Sequence, residues 1–325
     1  MITRVIERQN SISFVKSSVA AWALTALLLF LAHILGGAFF SIPAAVGGLL
    51  SYHLTPRISP VVVLRLYKGL QVSDHQMPGL HRMVRDISKR AGIKTVPGLW
   101  LLPSSRSIAF VTGDRDSSAL ALSKGILNTL DVDELAGVVA HELSHIAHND
   151  NRIMWFSEVT VKMVNLLSII GQVMVLINLP AIFAGERDLS LVLLAVVVVA
   201  PVVAMLLQLG LLRTREFAAD TGSAELMDSP QPLIRALRKI EGHPTTLFNR
   251  WMAGRREQKG HTLLRTHPPV NERIRRLKKL EDDGKPQRTY TPVTEQELVE
   301  MLLSGSRTRR YAVEKRERGR SSSEW

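Results

Sequence analysis

His141-Glu142-Leu143-Ser144-His145 is the stretch from which the rest of the chain is read. On an α-helix, residues four apart share a face, so both imidazoles can point at one centre. Two neutral histidines at that spacing suit a zinc ion, with nitrogen ligands at about 2.0–2.1 Å. Glu142 flanks the pair. A carboxylate there can take a proton from a water whose pKa zinc has lowered towards about 7. So short a pattern also arises by chance, and two further features decide the reading. Asp131-Val132-Asp133-Glu134 forms an N-cap with an acid at N3, and Leu135, Val138, Val139, Leu143 and Ile146 then recur at helical spacing. Downstream, Arg215-Glu216-Phe217-Ala218-Ala219-Asp220 offers two carboxylates at i, i+4. One of them could bind the ion while the other orients a ligand histidine through its second ring nitrogen. A merely hydrogen-bonded histidine pair and a solvated acidic face are the plain alternatives, and the capped helix with its downstream acids outweighs them. His148, one turn past His145, needs no role at the ion.

Composition narrows the class. The chain has 325 residues, 46% hydrophobic, a net charge of +12 and no cysteine. The last point excludes disulfides, thiolate catalysis and cysteine-held metals, and fits a reducing compartment. Five tryptophans and four tyrosines offer no evident platform for stacking bases. The positive charge is spread along the chain, and topology accounts for it without nucleic acid.

Residues 1–16 form a short N-terminal segment, followed by Ser17–Leu54 without a charged residue. These 38 residues suffice for two crossings of about 18 each, turning near Gly36-Gly37. Residues 55–152 read as the first part of a soluble catalytic domain. A helix is expected over Met77–Ala91 and short strands at Gly98–Leu102, Ile108–Thr112 and Ala119–Ser123. An exposed edge of that sheet could hold an extended peptide by strand addition. Residues 153–212 hold a second hairpin, with uncharged runs Met163–Ala184 and Leu189–Leu212 joined by Gly185-Glu186-Arg187-Asp188. Residues 213–284 complete the catalytic domain, with a short helix at Pro232–Ile240, a mobile loop at Leu247–Gly260 and a helix running to Leu280. Residues 285–325 form a basic, flexible tail. Of 41 lysines and arginines only Arg187 lies beyond the hairpins. The positive-inside rule therefore puts both termini and the catalytic domain in the cytosol, beside a bilayer whose anionic headgroups suit the charge. Glu216 follows Leu212 by four residues, about 6 Å along a helix, so the metal is expected near the membrane surface. His267, set before Pro268-Pro269, could donate to an oxyanion, an ordinary turn histidine being the alternative.

Taken together, His-Glu-Leu-Ser-His at 141–145, Arg-Glu-Phe-Ala-Ala-Asp at 215–220 and Thr-His-Pro-Pro at 266–269 with Arg273-Ile274 resemble the HtpX-like membrane zinc metalloproteases, relatives of the CAAX prenyl proteases. The resemblance spans roughly residues 75–280 by motif, and the hairpins by layout. It implies a mostly α fold with a small β-sheet (α+β), a gluzincin-type metalloprotease domain combined with two transmembrane hairpins. It implies one zinc per chain on His141, His145 and Glu216, with Glu142 as general base. Asp220 would hold a ligand histidine, His267 would stabilise the transition state, and Arg273 would support the site. The implied activity is cleavage of membrane or unfolded proteins at the cytosolic face of a bacterial inner membrane, in quality control under stress. One departure is Ile108-Ala109-Phe110, where the family usually has Asn-Ala-Phe. A catalytically silent adaptor with a structural metal is the rival from another class. The open fourth metal position and the presence of Glu142 speak against it. A prenyl-directed protease would need a large intramembrane chamber, for which four spans leave little room.

Overall fold

The structure, a computed structural model, describes residues 2–54, 60–184, 191–242 and 268–282. The expected turn at 185–188, the loop at 247–260, His267 and the basic tail lie outside the described residues. In chain order come α1 (Ile2–Gly36), α2 (Ala38–Leu54), α3 (Pro60–Leu66), β1 (Leu70–Gln71), α4 (Pro78–Arg90), β2 (Gly98–Leu102), β3 (Ala109–Gly113), β4 (Ser118–Ser123), α5 (Lys124–Thr129), α6 (Val132–Ala147), α7 (Asp150–Phe183), α8 (Leu191–Leu226), α9 (Gln231–Gly242) and α10 (Val270–Asp282). The protein is thus mostly helical with one small mixed sheet, as expected. It divides into two compact units.

The first unit is built on α1, α2, α7 and most of α8. Among the described residues three helices are long and apolar enough to cross a membrane, within Ser11–Gly36, Asp150–Pro180 and Leu191–Leu226. Their exposed positions carry Trp22, Phe30, Leu166, Ile169, Leu176 and Val198, side chains that lipid solvates as well as a protein core does. α2 has 17 residues, the lower limit for a span. The α1–α2 turn falls where the sequence suggests, at Gly37, whose φ of +55° lies in the left-handed region that glycine tolerates. Inside the bundle Leu24, Leu28, Leu31, Val164, Val197 and Ala204 form one core. Gly171 lets α7 come close to both Leu35 and Val197, which a Cβ there would meet at 2.8 and 2.5 Å. α1 and α7 both begin well before their uncharged runs, so the helices extend past the expected span limits.

The second unit holds the sheet, in the order β1-β2-β4-β3, with β2 parallel to β4 and the other pairs antiparallel. Side chains alternate as strand geometry requires. Leu99, Leu120 and Leu122 join the main core with α4, α6 and α9, while Trp100, Leu102, Ala119 and Ala121 pack on the other face with Leu64 of α3. The three expected strands are present within a residue of their predicted ends, and α4 stops at Gly92, φ +66°. Ile108, where the sequence departs from the family pattern, is buried in the Leu64–Trp100 cluster.

α6 and α9 approach so closely that a Cβ on Gly137 would lie 2.7 Å from the backbone nitrogen of Leu233 and 2.9 Å from the carbonyl carbon of Pro232. Backbone cannot yield as a side-chain tip can. A Gly137→Ala protein is expected to lose about 1–3 kcal/mol through overpacking, seen as a lower unfolding temperature in detergent. Gly210→Ala, in α8 with open space at its Cβ, should instead gain about 0.5–1 kcal/mol from helix propensity. Equal effects at the two positions would contradict this packing.

Candidate active site

The site is built from the start of α6. Asp131 caps it: its Oδ1 accepts from the Glu134 N–H at 3.0 Å, and Glu134 Oε2 accepts from the Asp131 N–H at 3.0 Å. The reciprocal pair is the capping box expected from the sequence. Glu134 is buried, and Lys239 Nζ donates to it at 2.6 Å, so the carboxylate keeps a counter-charge from α9. Two turns further along this anchored helix come His141 and His145. Their ring centroids are 4.9 Å apart with planes at 85°.

His141, His145 and Glu216 of α8, all buried, present ligand atoms that lie within 4.8 Å of one another. Two imidazole nitrogens and one carboxylate oxygen match the donor set of catalytic zinc sites that keep a fourth position open. A tetrahedral ion with bonds of about 2.0–2.1 Å would hold such donors roughly 3.4 Å apart, so donors as far as 4.8 Å apart would have to draw in by about 1.4 Å on binding. The residues fit a divalent ion of zinc type.

The other ring nitrogen of His141 is also held. Nδ1 lies 3.1 Å from Asp220 Oδ1, and Asp220 accepts from Arg273 at 2.9 Å (Nε to Oδ2) and 2.5 Å (Nη2 to Oδ1). Asp220 lies past the end of the uncharged run at Leu212 and is buried. Burial pushes its carboxyl up, but the Arg273 guanidinium and the His141 hydrogen bond outweigh that and hold it below the usual carboxylate range. An ionised Asp220 accepts the Nδ1–H of His141 and fixes the tautomer, so the Nε2 lone pair is the one left to bind an ion. Arg273 Nη2 also comes within 3.4 and 3.5 Å of the two ring nitrogens. With Nδ1 already donating, that is an approach to the ring, and the strong partner of Arg273 is Asp220.

Glu142 is buried beside the pair, and its Oε2 accepts from the backbone N–H of Val111 at 3.1 Å. β3 is the outermost strand of the sheet. Val111 therefore turns its N–H off the free edge, and by the alternation of an antiparallel ladder Phe110 and Thr112 turn theirs towards β4. Ile108 donates to Ser123 Oγ at 2.9 Å, so its N–H is not an edge group either. His148 is exposed, caps the end of α6 and holds the Ser144 carbonyl at 2.8 Å through Nδ1. It is not part of the metal-type group. His267 lies outside the described residues.

Sequence reasoning missed one buried pair beside this site. Arg215, the residue before Glu216, donates through Nε to Asp150 Oδ1 at 2.6 Å and touches the same oxygen with Nη2. Both are buried. The signal was present as opposite charges at the inner ends of two long apolar helices, but chain position alone does not pair them.

Comparison with known proteins identifies the family. Residues 74–281 match the model of Peptidase family M48. A protease HtpX homolog of Trichormus variabilis is 37% identical over 257 residues, covering 73% of this chain and 84% of its own length. One from Polynucleobacter necessarius subsp. necessarius is 32% identical over 295 residues, covering 84% of this chain and 97% of its own. Among solved structures, the crystal structure of S. mikatae Ste24p is similar at a TM-score of 0.40 and 19% identity, covering 83% of this chain and 66% of that one. By its matched domain and by relatives that align over most of both chains, this chain belongs to peptidase family M48 and is a metalloprotease.

Proposed function

We propose that this protein is a membrane-embedded zinc endopeptidase that cleaves membrane or misfolded proteins at the cytosolic face of a bacterial inner membrane, in protein quality control. The observation that carries the reading is the convergence of His141, His145 and Glu216 with Glu142 on the same capped helix. When bound, zinc would polarise the scissile carbonyl and acidify a water. Glu142 takes that water's proton and returns it to the leaving amine. Asp220, charged and fixed by Arg273, holds the His141 ring in one tautomer throughout. With the Val111 N–H held by Glu142, β3 sets an edge strand beside the general base, where an extended substrate could add as a further strand. His267 is assigned to the oxyanion by its resemblance to the family's motif.

Chain layout supports the choice of substrates. α8 is one unbroken helix, and its uncharged run ends only four residues, about 6 Å, before Glu216. A metal on Glu216 would then lie near the bilayer surface, where membrane proteins present their loops. Four spans, with α2 as the shortest, would bring both termini to the same side, and the Lys and Arg distribution supports the cytosol as that side.

Two outcomes test the assignment of roles. In purified full-length protein, Glu142→Gln should retain about one zinc per chain while cleavage of casein falls by about 10²–10⁴-fold. Cleavage at the wild-type rate would remove Glu142 from the mechanism. Asp220→Asn should weaken zinc affinity by about 10–100-fold, because an amide cannot hold the histidine with a charge and leaves Arg273 without its partner. Unchanged affinity in a folded Asp220→Asn protein would show that the carboxylate does not orient His141.

A further inference from the structure

We infer that the buried Arg215–Asp150 pair is a positioning device for the metal centre, setting the height and rotation of α8 so that Glu216 faces the two histidines. The inference rests on the metal-centre reading above.

Asp150 is 0% exposed and Arg215 4%, which for an aspartate and an arginine at the ends of apolar helices demands mutual compensation. The bond is made by Nε and Nη2 to a single oxygen, Oδ1, so small rotations of α8 would break it. Asp150 is the first residue of α7, directly after Asn149, whose φ of +54° lies in the left-handed region. It follows His145 by only five residues, and its position is tied to the histidine helix by chain connectivity.

α8 needs such a key. Leu191–Leu212 is built of Leu, Val, Ala and Met with a few small or polar residues, and apolar ridges in an apolar medium resist sliding or rotation weakly. One side-chain bond with α7 inside that run is Gln172 Nε2 to Val197 O, at 3.2 Å. That bond is 18 residues from Arg215, about 27 Å along the helix. A slip of one turn, about 5.4 Å, would carry the Glu216 carboxylate out of reach of the histidines. Specifying register is the best-attested use of a buried ionic group. The pair has a second effect on the same ligand. With Asp150 in place the guanidinium next to Glu216 is already neutralised. With Asp150 removed it becomes a competitor for the Glu216 carboxylate.

Zinc affinity, measured by competition with a chromogenic chelator on full-length protein in detergent, separates this role from a structural one. All proteins carry Glu142→Gln so that none digests itself, and unfolding temperature is recorded alongside. Asp150→Asn and Arg215→Met should each weaken zinc binding tenfold or more, Asp150→Asn the more strongly. The double variant Asp150→Leu/Arg215→Met, an apolar replacement of the pair, should recover the unfolding temperature yet keep the weakened affinity. The exchange Asp150→Arg/Arg215→Asp should recover affinity where it folds. Wild-type affinity in the folded apolar double variant would overturn the inference, leaving the pair as packing alone. Should the single variants fail to fold, the apolar double variant still decides. No zinc uptake by the parent protein would instead overturn the metal-centre reading, and this inference with it.

Discussion

A divalent ion needs several donors converging on one point, and a single helix supplies only two of them at the right spacing. His141 and His145 come together by the 3.6-residue repeat of α6 alone. Glu216 comes from 71 residues further along, after the chain has run through α7 and back along α8. The rest of the structure can be understood as what holds that third donor in place. α6 is fixed by its capping box and by the close packing of Gly137 on α9. The end of α8 is held to α6 by the Asp220–His141 bond and by Ser223 Oγ donating to Gly137 O at 2.8 Å. Gly222 leaves room for Ser144, whose Oγ would be 2.1 Å from a Cβ there.

Away from Glu142 and Glu216, buried charge is handled by pairing. Glu134, Asp150, Arg215, Asp220 and Arg273 are all buried, and each faces an opposite charge in the structure. A buried ion pair adds little net stability, because desolvation offsets most of the attraction, whereas removing one partner costs about 3–5 kcal/mol. Such pairs specify geometry more than they stabilise. Asp220 shows the consequence most directly. Burial alone would favour its neutral form, and only Arg273 and His141 keep it charged. The histidine tautomer that leaves Nε2 to bind an ion thus depends on an arginine contributed by α10.

Much of this was legible in the sequence, for definite reasons. Capping, helical periodicity and the His-x-x-x-His spacing are local, and they placed α6 and its histidines correctly. The strands at 98–102 and 118–123 alternate between two cores, and that alternation marks them. β1 could not be found this way, because Leu70 and Gln71 are only two residues and both are exposed. Helix limits could not be read from charge for α1 and α7, which run past their uncharged stretches. A helix ends where its backbone bonds end, and Lys16, Glu158 and Lys162 sit in helix without breaking it. Pairings distant in sequence were the hardest to see. The ExxxD spacing placed Glu216 and Asp220 on one helix face, but the Arg273 contact came only by resemblance, and Asp150 with Arg215 by neither route. Ile108, suspected for a lost amide contact, packs into a core and donates its N–H to Ser123.

The division of labour along α8 follows from these constraints. Its first 22 residues, Leu191–Leu212, pair their backbone groups within the helix except where Pro201 frees the Val197 carbonyl, which Gln172 of α7 takes up, and they offer lipid an apolar surface, as a spanning helix must. The same smoothness leaves its register poorly determined. Within the next eleven residues the helix gains Arg215, Glu216, Asp220 and Ser223, of which one is in the metal-type group and three make specific polar contacts to other elements. Polar contacts therefore crowd at the end of the helix where its position has chemical consequences. A helix with the same composition but evenly spread polar residues would be harder to insert in a membrane and no better placed at the metal. Segregating the two roles along one rod lets a structure that needs lipid on one half present an accurately placed carboxylate on the other.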